Sequence, residues 1–425
     1  MSHEKPKCLF PVANIPVILY APEFLAANNV NKVIIMSSKE SKTFHSIIQT
    51  IRESHPFEKH FDVKVVKLDN PQSLAQALKE LDEMSDINDD FILMQGDIVT
   101  NASLDAAMRM HYKGLAKVDK EKKPTPTILT KVFAEIPYSN PIRDPSQEVA
   151  LMLDVETRQI LDYFQFCNKE RESEQQEASA LQRSYQINRK HITLKKQARQ
   201  YELRSDLIDT EIAICNKALF QQINDDIELK TFKEDFIINL NTSELTDNEV
   251  QAYILPSGYY YGRLNDPRTY QVLTQDIIQR KCHPFVIDFP VFKGNFEVQV
   301  HNKYLGAHMK RHLSSEISDF CVIGKGTEIG ENTKIKRSVI GEDCFIENHC
   351  EITNCIIWDG VQVKSGSVLT NALVCDNCVI NTDCVIPDGV MLDKNVEVKD
   401  GVTLKKNTIA SLLEVGSDSK GNVSF

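Results

Sequence analysis

The chain of 425 residues has no apolar run approaching the ~20 residues that a membrane-spanning helix needs. Its start, MSHEKPKC, lacks the apolar core of a secretory signal. No P-loop, GxGxxG or HExxH motif occurs, no Ser-His-Asp or Cys-His arrangement stands out, and the eleven histidines are scattered. An excess of positive charge is also missing. Lys and Arg number 49 against 60 Asp and Glu, giving a net charge of -11 and a pI near 5.6. Such a diffusely acidic chain is a poor general nucleic-acid binder without a local basic patch. The expectation is an intracellular, soluble protein of two or three domains.

The strongest positive signal lies in the last quarter. From Ile323 a large aliphatic residue recurs every sixth position, with an occasional five-residue step. The series runs Ile323, Ile329, Ile335, Ile340, Ile346, Ile352, Ile357, Val363, Leu369, Val374, Ile380, Ile386, Leu392, Val398 and Leu404. Neither a helix nor an ordinary strand has this period. It is the mark of a left-handed parallel β-helix, in which three hexapeptides make one triangular coil. About fifteen hexapeptides give about five coils with a shared core. Glycine is expected to supply corners at Gly324, Gly330 and Gly341, where a side chain would be strained.

Seven of the eleven cysteines fall in this region: Cys321, Cys344, Cys350, Cys355, Cys375, Cys378 and Cys384. In a cytosolic chain they are reduced rather than paired. Cys375-x-x-Cys378 invites a zinc reading, but a second half-site is hard to draw. The competing reading is of small hydrophobes at or beside coil positions. No metal and no cofactor are expected.

Before the β-helix, short apolar strands alternate with amphipathic helices. KVIIM (32–36), the valines 63, 65 and 66, FILM (91–94), 126–132, 148–153, 205–215 and 250–255 read as strands. Residues 15–30, 41–58, 73–81, 104–113, 232–240 and 266–279 read as helices, with Asn28-Asn29 as a cap at the end of the first and Asn101 or Ser103 as a cap for the fourth. The pattern predicts a mostly parallel sheet covered on both faces. This α/β domain is placed at 1–305. A linker at 306–319, the β-helix at 320–410 and a polar tail at 411–425 follow.

A polar and then basic insertion interrupts the α/β pattern at 168–204. Its second half holds Arg189, Lys190, Lys195, Lys196, Arg199 and Arg204 against one acid, Glu202. It reads either as a phosphate- or partner-contacting loop or as a solvated insertion or edge hairpin. The Gly96-Asp97 pair follows an apolar strand, where ligands of α/β sheets bind, so Asp97 is a candidate Mg²⁺ ligand or a plain turn residue. The same two readings hold for Lys7, Asp209 and Asp226.

The segment PKCLFPVANIP (6–16), with the later strand-Gly-Asp and the hexapeptide domain, resembles the sugar-phosphate nucleotidyltransferase fold. DFILMQGDIVTN (90–101), ILDYFQF (160–166), DLIDTEIAIC (206–215) and DDIELKTFKEDFI (225–237) narrow the resemblance. They resemble the epsilon-type subunits of eukaryotic initiation factor 2B, the guanine-nucleotide exchange factor for initiation factor 2.

That resemblance implies a nucleotidyltransferase-like, Rossmann-like α/β domain followed by a left-handed parallel β-helix. It implies a structural or regulatory role in translation initiation, supporting GDP release from initiation factor 2. Implied partners are the other subunits of the complex, especially a homologous gamma-type subunit, and initiation factor 2, in the cytosol and without membrane or direct DNA binding. By matching, Lys7 and Asp97 fall on positions that face nucleotide and metal in the active enzymes. The family's Glu-Lys-Pro sugar-phosphate element is replaced by Phe164-Gln165-Phe166, and the glycine-rich nucleotide loop would lie upstream of Met1. Nucleotidyl transfer is therefore not expected. The resemblance also implies a helical-repeat domain that carries exchange in the epsilon subunits, and that domain is expected to be absent from this chain. The alternatives are an active mannose- or glucose-1-phosphate nucleotidyltransferase and the gamma-type subunit of the same complex.

Overall fold

In the computed structural model, the six-residue period of the C-terminal region becomes a stack of triangular coils. The structure describes residues 5–38, 44, 49, 62–84, 87–114, 127–166, 200–225, 236–237, 249–292 and 296–411. The helices expected over 41–58 and 232–240, Asp226 and the tail beyond 411 lie outside them, almost entirely or wholly. The chain divides into two compact units, 21–265 and 1–20 together with 266–425.

In the second unit three parallel ladders run the length of a left-handed solenoid of about six coils, one more than the period alone suggests. Ile323 stacks on Ile340, Ile340 on Ile357 and Ile357 on Val374, and the other two ladders repeat the arrangement. These inward residues are almost fully buried in one continuous core. Each short strand gives its backbone bonds to the coils on either side, so no rung is stable alone.

Two expectations change here. Residues 306–319 are not a linker but part of the first coil. Lys310-Arg311 pairs in parallel with Glu328-Ile329, and Glu316-Ile317 pairs with Lys334-Ile335. Arg311 stands in the register of the inward Ile329, so the aliphatic period is broken at this end coil and hides it. Second, Gly324, Gly330 and Gly341 stand just before the turns rather than forming the corners, although a side chain there would be strained as expected. They lie where neighbouring coils touch: a Cβ on Gly324 would sit 2.6 Å from the Glu342 nitrogen, and one on Gly330 2.7 Å from the Glu347 carbonyl carbon. Positive φ instead falls at Gly326, Gly360, Gly366, Gly389 and Gly401 and at asparagines such as Asn332, Asn354 and Asn377.

The same unit carries the 12-residue helix Pro267–Ile278. Asp266 and Thr269 close a reciprocal cap at its start, with Pro267 in the first turn, where a missing N–H costs little. The helix docks on the solenoid through Gln271 and Gln275, whose side-chain amides donate to the Asn354 and Arg337 carbonyls at 2.9 and 2.8 Å. The N-terminal segment lies against the same region. Phe10 meets Trp358 edge-on at 5.0 Å, and Asn14 donates to the Ile340 carbonyl at 2.7 Å.

The first unit is α/β. Strands β1 (Lys32–Ser37) and β2 (Asp62–Lys67) pair in parallel. Helix α1 (Leu74–Met84) leads to β3 (Phe91–Met94), β4 (Ile98–Thr100) and α2 (Asp105–Gly114). Then come β5 (Thr127–Glu135), β6 (Val149–Asp154), β7 (Ile160–Gln165), β8 (Tyr201–Arg204), β9 (Leu207–Cys215), α3 (Ala218–Asp225), β10 (Glu249–Leu255) and β11 (Tyr261–Arg263). The central sheet has the order β10-β5-β9-β3. It is not mostly parallel. β9 runs antiparallel to both β5 and β3, and only β10 joins β5 in parallel. Buried strands read as continuous apolar runs whatever their direction, so the sequence carried no sign of this. A second sheet, β8-β6-β7, is antiparallel throughout.

Candidate functional site

Strand β3 ends at Met94, and Gln95-Gly96 brings the chain to Asp97. The next strand, β4, pairs antiparallel with β11, and the partner of Ile98 is Arg263. That register sets a guanidinium beside the Asp97 carboxylate. Arg263 Nε lies 3.0 Å from Oδ1 and 3.2 Å from Oδ2. Its Nη1 reaches Glu211 Oε1 at 3.4 Å. All three side chains are largely buried. Burial by itself would lower the Arg263 pKa, but Asp97 and Glu211 outweigh it and leave the guanidinium more firmly charged than usual.

Glu211 reaches this place through a backbone irregularity. The β9–β5 register slips between Asp209 and Ile212, and Glu211 takes φ +59°. Such a bulge re-aims side chains that a regular strand would turn elsewhere. Asp209 Oδ1 accepts from the Glu211 N–H at 2.9 Å and holds the kink. Thr210 donates to the Val132 carbonyl at 2.7 Å.

The bulge also builds a second ion pair. Lys131 of β5 bonds Asp209 Oδ2, and the Tyr163 hydroxyl donates to the same oxygen at 2.7 Å. The Lys131 ammonium stands 4.9 Å from the Tyr163 ring centre. Gln147 donates to the Tyr261 hydroxyl at 2.7 Å and to the Asp209 carbonyl at 3.2 Å. The cluster is therefore internally cross-linked by its own cations. A divalent ion would have to displace Arg263 from Asp97 or Lys131 from Asp209, leaving a buried cation unpaired.

The sequence candidates are distributed as follows. Asp97 lies in the α/β unit, held by an arginine. Lys7 lies in a 3-10 turn, Lys7–Leu9, of the unit that contains the solenoid. Asp209 is the partner of Lys131. Arg204 is engaged with Asp206 at 2.7 Å and with Glu202 and Glu135 at 3.4 Å, so its donors are turned to carboxylates of its own chain. Arg189, Lys190, Lys195, Lys196 and Arg199 lie outside the described residues. Gln165 donates to the Ser146 carbonyl at 2.5 Å, while Phe164 and Phe166 pack edge-on at 5.6 Å. Here an aromatic pair and a backbone-bound amide offer no charge to a sugar phosphate. Sequence reasoning missed Arg263 and Glu211, because only strand pairing and the bulge bring them to Asp97.

The solenoid cysteines are buried, and the thiols of Cys344, Cys350, Cys378 and Cys384 donate to carbonyls of Trp358, Lys364, Asp393 and Lys399 at 2.9–3.2 Å. Thr327, Thr333 and Ser367 make the equivalent bonds with hydroxyls. Small side chains that each satisfy a backbone carbonyl account for these positions. Among the described residues no group of three or more His, Cys, Asp or Glu could hold a metal ion. No helix among them is long and apolar enough to cross a membrane.

Comparison with known proteins gives this architecture its relatives. A family model described as "Nucleotidyl transferase" matches residues 1–127, and one described as "EIF2B subunit epsilon LbH domain" matches residues 300–404. The "Translation initiation factor eIF2B subunit epsilon" of Schizosaccharomyces pombe is 25% identical over 423 residues, covering 100% of this chain and 59% of that protein. The Dictyostelium discoideum protein of the same name is 30% identical over 287 residues, covering 67% of this chain and 37% of its own length. The "Bifunctional protein GlmU" of Shouchella clausii is 42% identical over 96 residues, 22% of this chain and 21% of that protein. The chain thus spans less than two thirds of the length of either epsilon relative. With its nucleotidyl transferase segment followed by a left-handed β-helix, it is a relative of the epsilon subunits of eIF2B.

Proposed function

We propose that this chain is a structural and regulatory subunit of an eIF2B-type guanine-nucleotide exchange complex, and that its nucleotidyltransferase-like unit performs no nucleotidyl transfer. It supports GDP release from initiation factor 2 in the cytosol as part of that complex. Its partners are the other subunits, foremost a homologous gamma-type subunit. The α/β region of residues 1–305 serves in this reading as a folded platform.

The observation that carries the loss of transferase chemistry is the Arg263–Asp97 pair. Nucleotidyl transfer develops negative charge on a triphosphate, and a metal ion held by carboxylates is the usual means of stabilising it. Here the carboxylate after β3 is already neutralised by a side chain of its own fold. The names of the epsilon relatives support membership of the complex.

Co-expression with a homologous gamma-type subunit tests the assembly. The expected result is a stoichiometric complex that survives size-exclusion chromatography and gains stability over either chain alone. Two chains that elute separately at micromolar concentration, with unchanged melting temperatures, would overturn the assignment.

A further inference from the structure

At the first coil of the solenoid two of the inward rows end differently. One ends on Ile317, in register with the buried Ile335. In the other, Arg311 takes the place that Ile329, Ile346 and Val363 hold in the coils beyond it. A cleft of about 350 Å³ opens here, with Arg311 and Ile317 of the first coil and Ile335 and Lys336 of the second in its lining. That volume falls in the range of small-ligand sites, which run from about 300 Å³ upward.

The charges of the cleft differ from those on the outer faces of the solenoid. There, cation and acid are matched between successive coils. Lys310 lies 2.7 Å from Glu328, Lys334 3.3 Å from Glu351 and Lys364 3.2 Å from Glu347. In the cleft, Arg311, Lys336 and Glu316 take part in no ion pair and no side-chain hydrogen bond among the described residues. Ser315 is committed, since its hydroxyl donates to the His312 carbonyl at 2.7 Å. A polar end coil keeps a solenoid soluble, but any polar side chain serves for that, and Lys336 belongs to the second coil.

The balance of charge selects the ligand. The two cations Arg311 and Lys336 against the one acid Glu316 leave a single positive charge, which a monoanion neutralises. A phosphate dianion would exceed it and face Glu316. The planar guanidinium presents paired donors that match the two oxygens of a carboxylate. Beside that head, Ile317 and Ile335 give an apolar wall. We propose that this cleft binds a carboxylate carried on a short apolar body, supplied either by a free branched short-chain acid or by the C-terminus of a peptide ending in leucine. Arg311 holds the carboxylate, Lys336 adds attraction, and Glu316 turns away anions of higher charge.

The test is titration of the whole chain with isovalerate at constant ionic strength, followed by saturation-transfer NMR. Isoamylamine and N-acetyl-glycyl-leucine, the latter as free acid and as C-terminal amide, are titrated beside it. The acids should bind with Kd on the order of 1 mM, and the amine and the peptide amide should not. Whichever acid binds more tightly identifies the source of the carboxylate. Arg311→Gln should weaken binding at least about ten-fold and Lys336→Gln about three-fold, while Glu316→Gln should tighten it about three-fold by removing a repelling charge. Arg311→Leu, which extends the aliphatic row of Ile329, should weaken binding as much as Arg311→Gln, and melting curves confirm that each variant folds. No binding of either acid at about 20 mM overturns the proposal. So does an amine that binds as well as the acids, binding indifferent to Arg311→Gln, or a Glu316→Gln variant that binds more weakly than the wild type.

Discussion

The indole Nε1 of Trp358 donates to the Tyr270 hydroxyl at 3.0 Å, and that hydroxyl in turn bonds the carbonyl of Pro11. One phenol thus ties a coil of the solenoid to the N-terminal segment within a single compact unit. Lys5 adds a cation–π contact over Trp358 at 4.5 Å. Burial keeps Tyr270 protonated well above the ordinary tyrosine range, so it remains a donor.

Tyr270→Phe is expected to destabilise this unit by about 1–3 kcal/mol, because it strips a donor from one buried group and an acceptor from another. Trp358→Phe loses one bond and some packing and should cost less than Trp358→Ala, for which about 3–5 kcal/mol is expected. Denaturant titration of the three variants checks the order.

A pair of glycine substitutions separates the two reasons for glycine in the solenoid. At Gly401, where φ is +69° and nothing lies within 4 Å of a built Cβ, alanine meets only backbone strain and should cost about 1–2 kcal/mol. At Gly324, where the next coil leaves no room, alanine must push two coils apart and should cost more. Comparable melting temperatures for the two variants would refute this division.

How legible the fold was follows from the same residues. The inward row from Ile323 to Leu404 could be read because its period belongs to no other structure. The corner positions could not, since a glycine needed for close approach and a glycine needed for positive φ look the same in one dimension. Arg311 concealed the first coil by placing a charged residue in an inward register. The state of Asp97 was hidden for another reason. Its partner is 166 positions away and arrives only through the β4–β11 pairing. Glu211 arrives only through a bulge.

The buried thiols give a pH prediction. Burial pushes Cys344, Cys355 and Cys378 up to about 12 and Cys350 to about 11. In the unfolded chain they titrate near 8.5. The folded state therefore holds these protons more tightly, so stability is fully present below about pH 8.5 and falls as pH rises toward those values. Melting temperatures should decline from pH 8 to 10, and a disulfide reagent at pH 8 should label these four cysteines only after denaturation. Rapid native labelling at any of the four would contradict the burial.

His111 gives the opposite trend on the acid side. Its ring is fully buried, Nδ1 meets Thr130 Oγ1 at 2.9 Å, and burial lowers its pKa despite the opposing charge of Asp90. The unfolded chain takes up this proton first, so the contribution is present above about pH 6.5 and is lost as pH falls through the depressed folded value. His111→Gln should flatten the stability profile between pH 6.5 and 5, measured by denaturant midpoints.

The central claim is that Arg263 closes the carboxylate that a transferase would use. It is tested most directly by pyrophosphate release with nucleoside triphosphates, mannose- or glucose-1-phosphate and Mg²⁺, for the wild type beside Asp97→Asn. The account predicts no turnover above background for either protein, whereas an active enzyme would show at least about 1 s⁻¹. Mg²⁺-dependent release by the wild type that disappears in Asp97→Asn would show Asp97 serving a metal and would contradict the account.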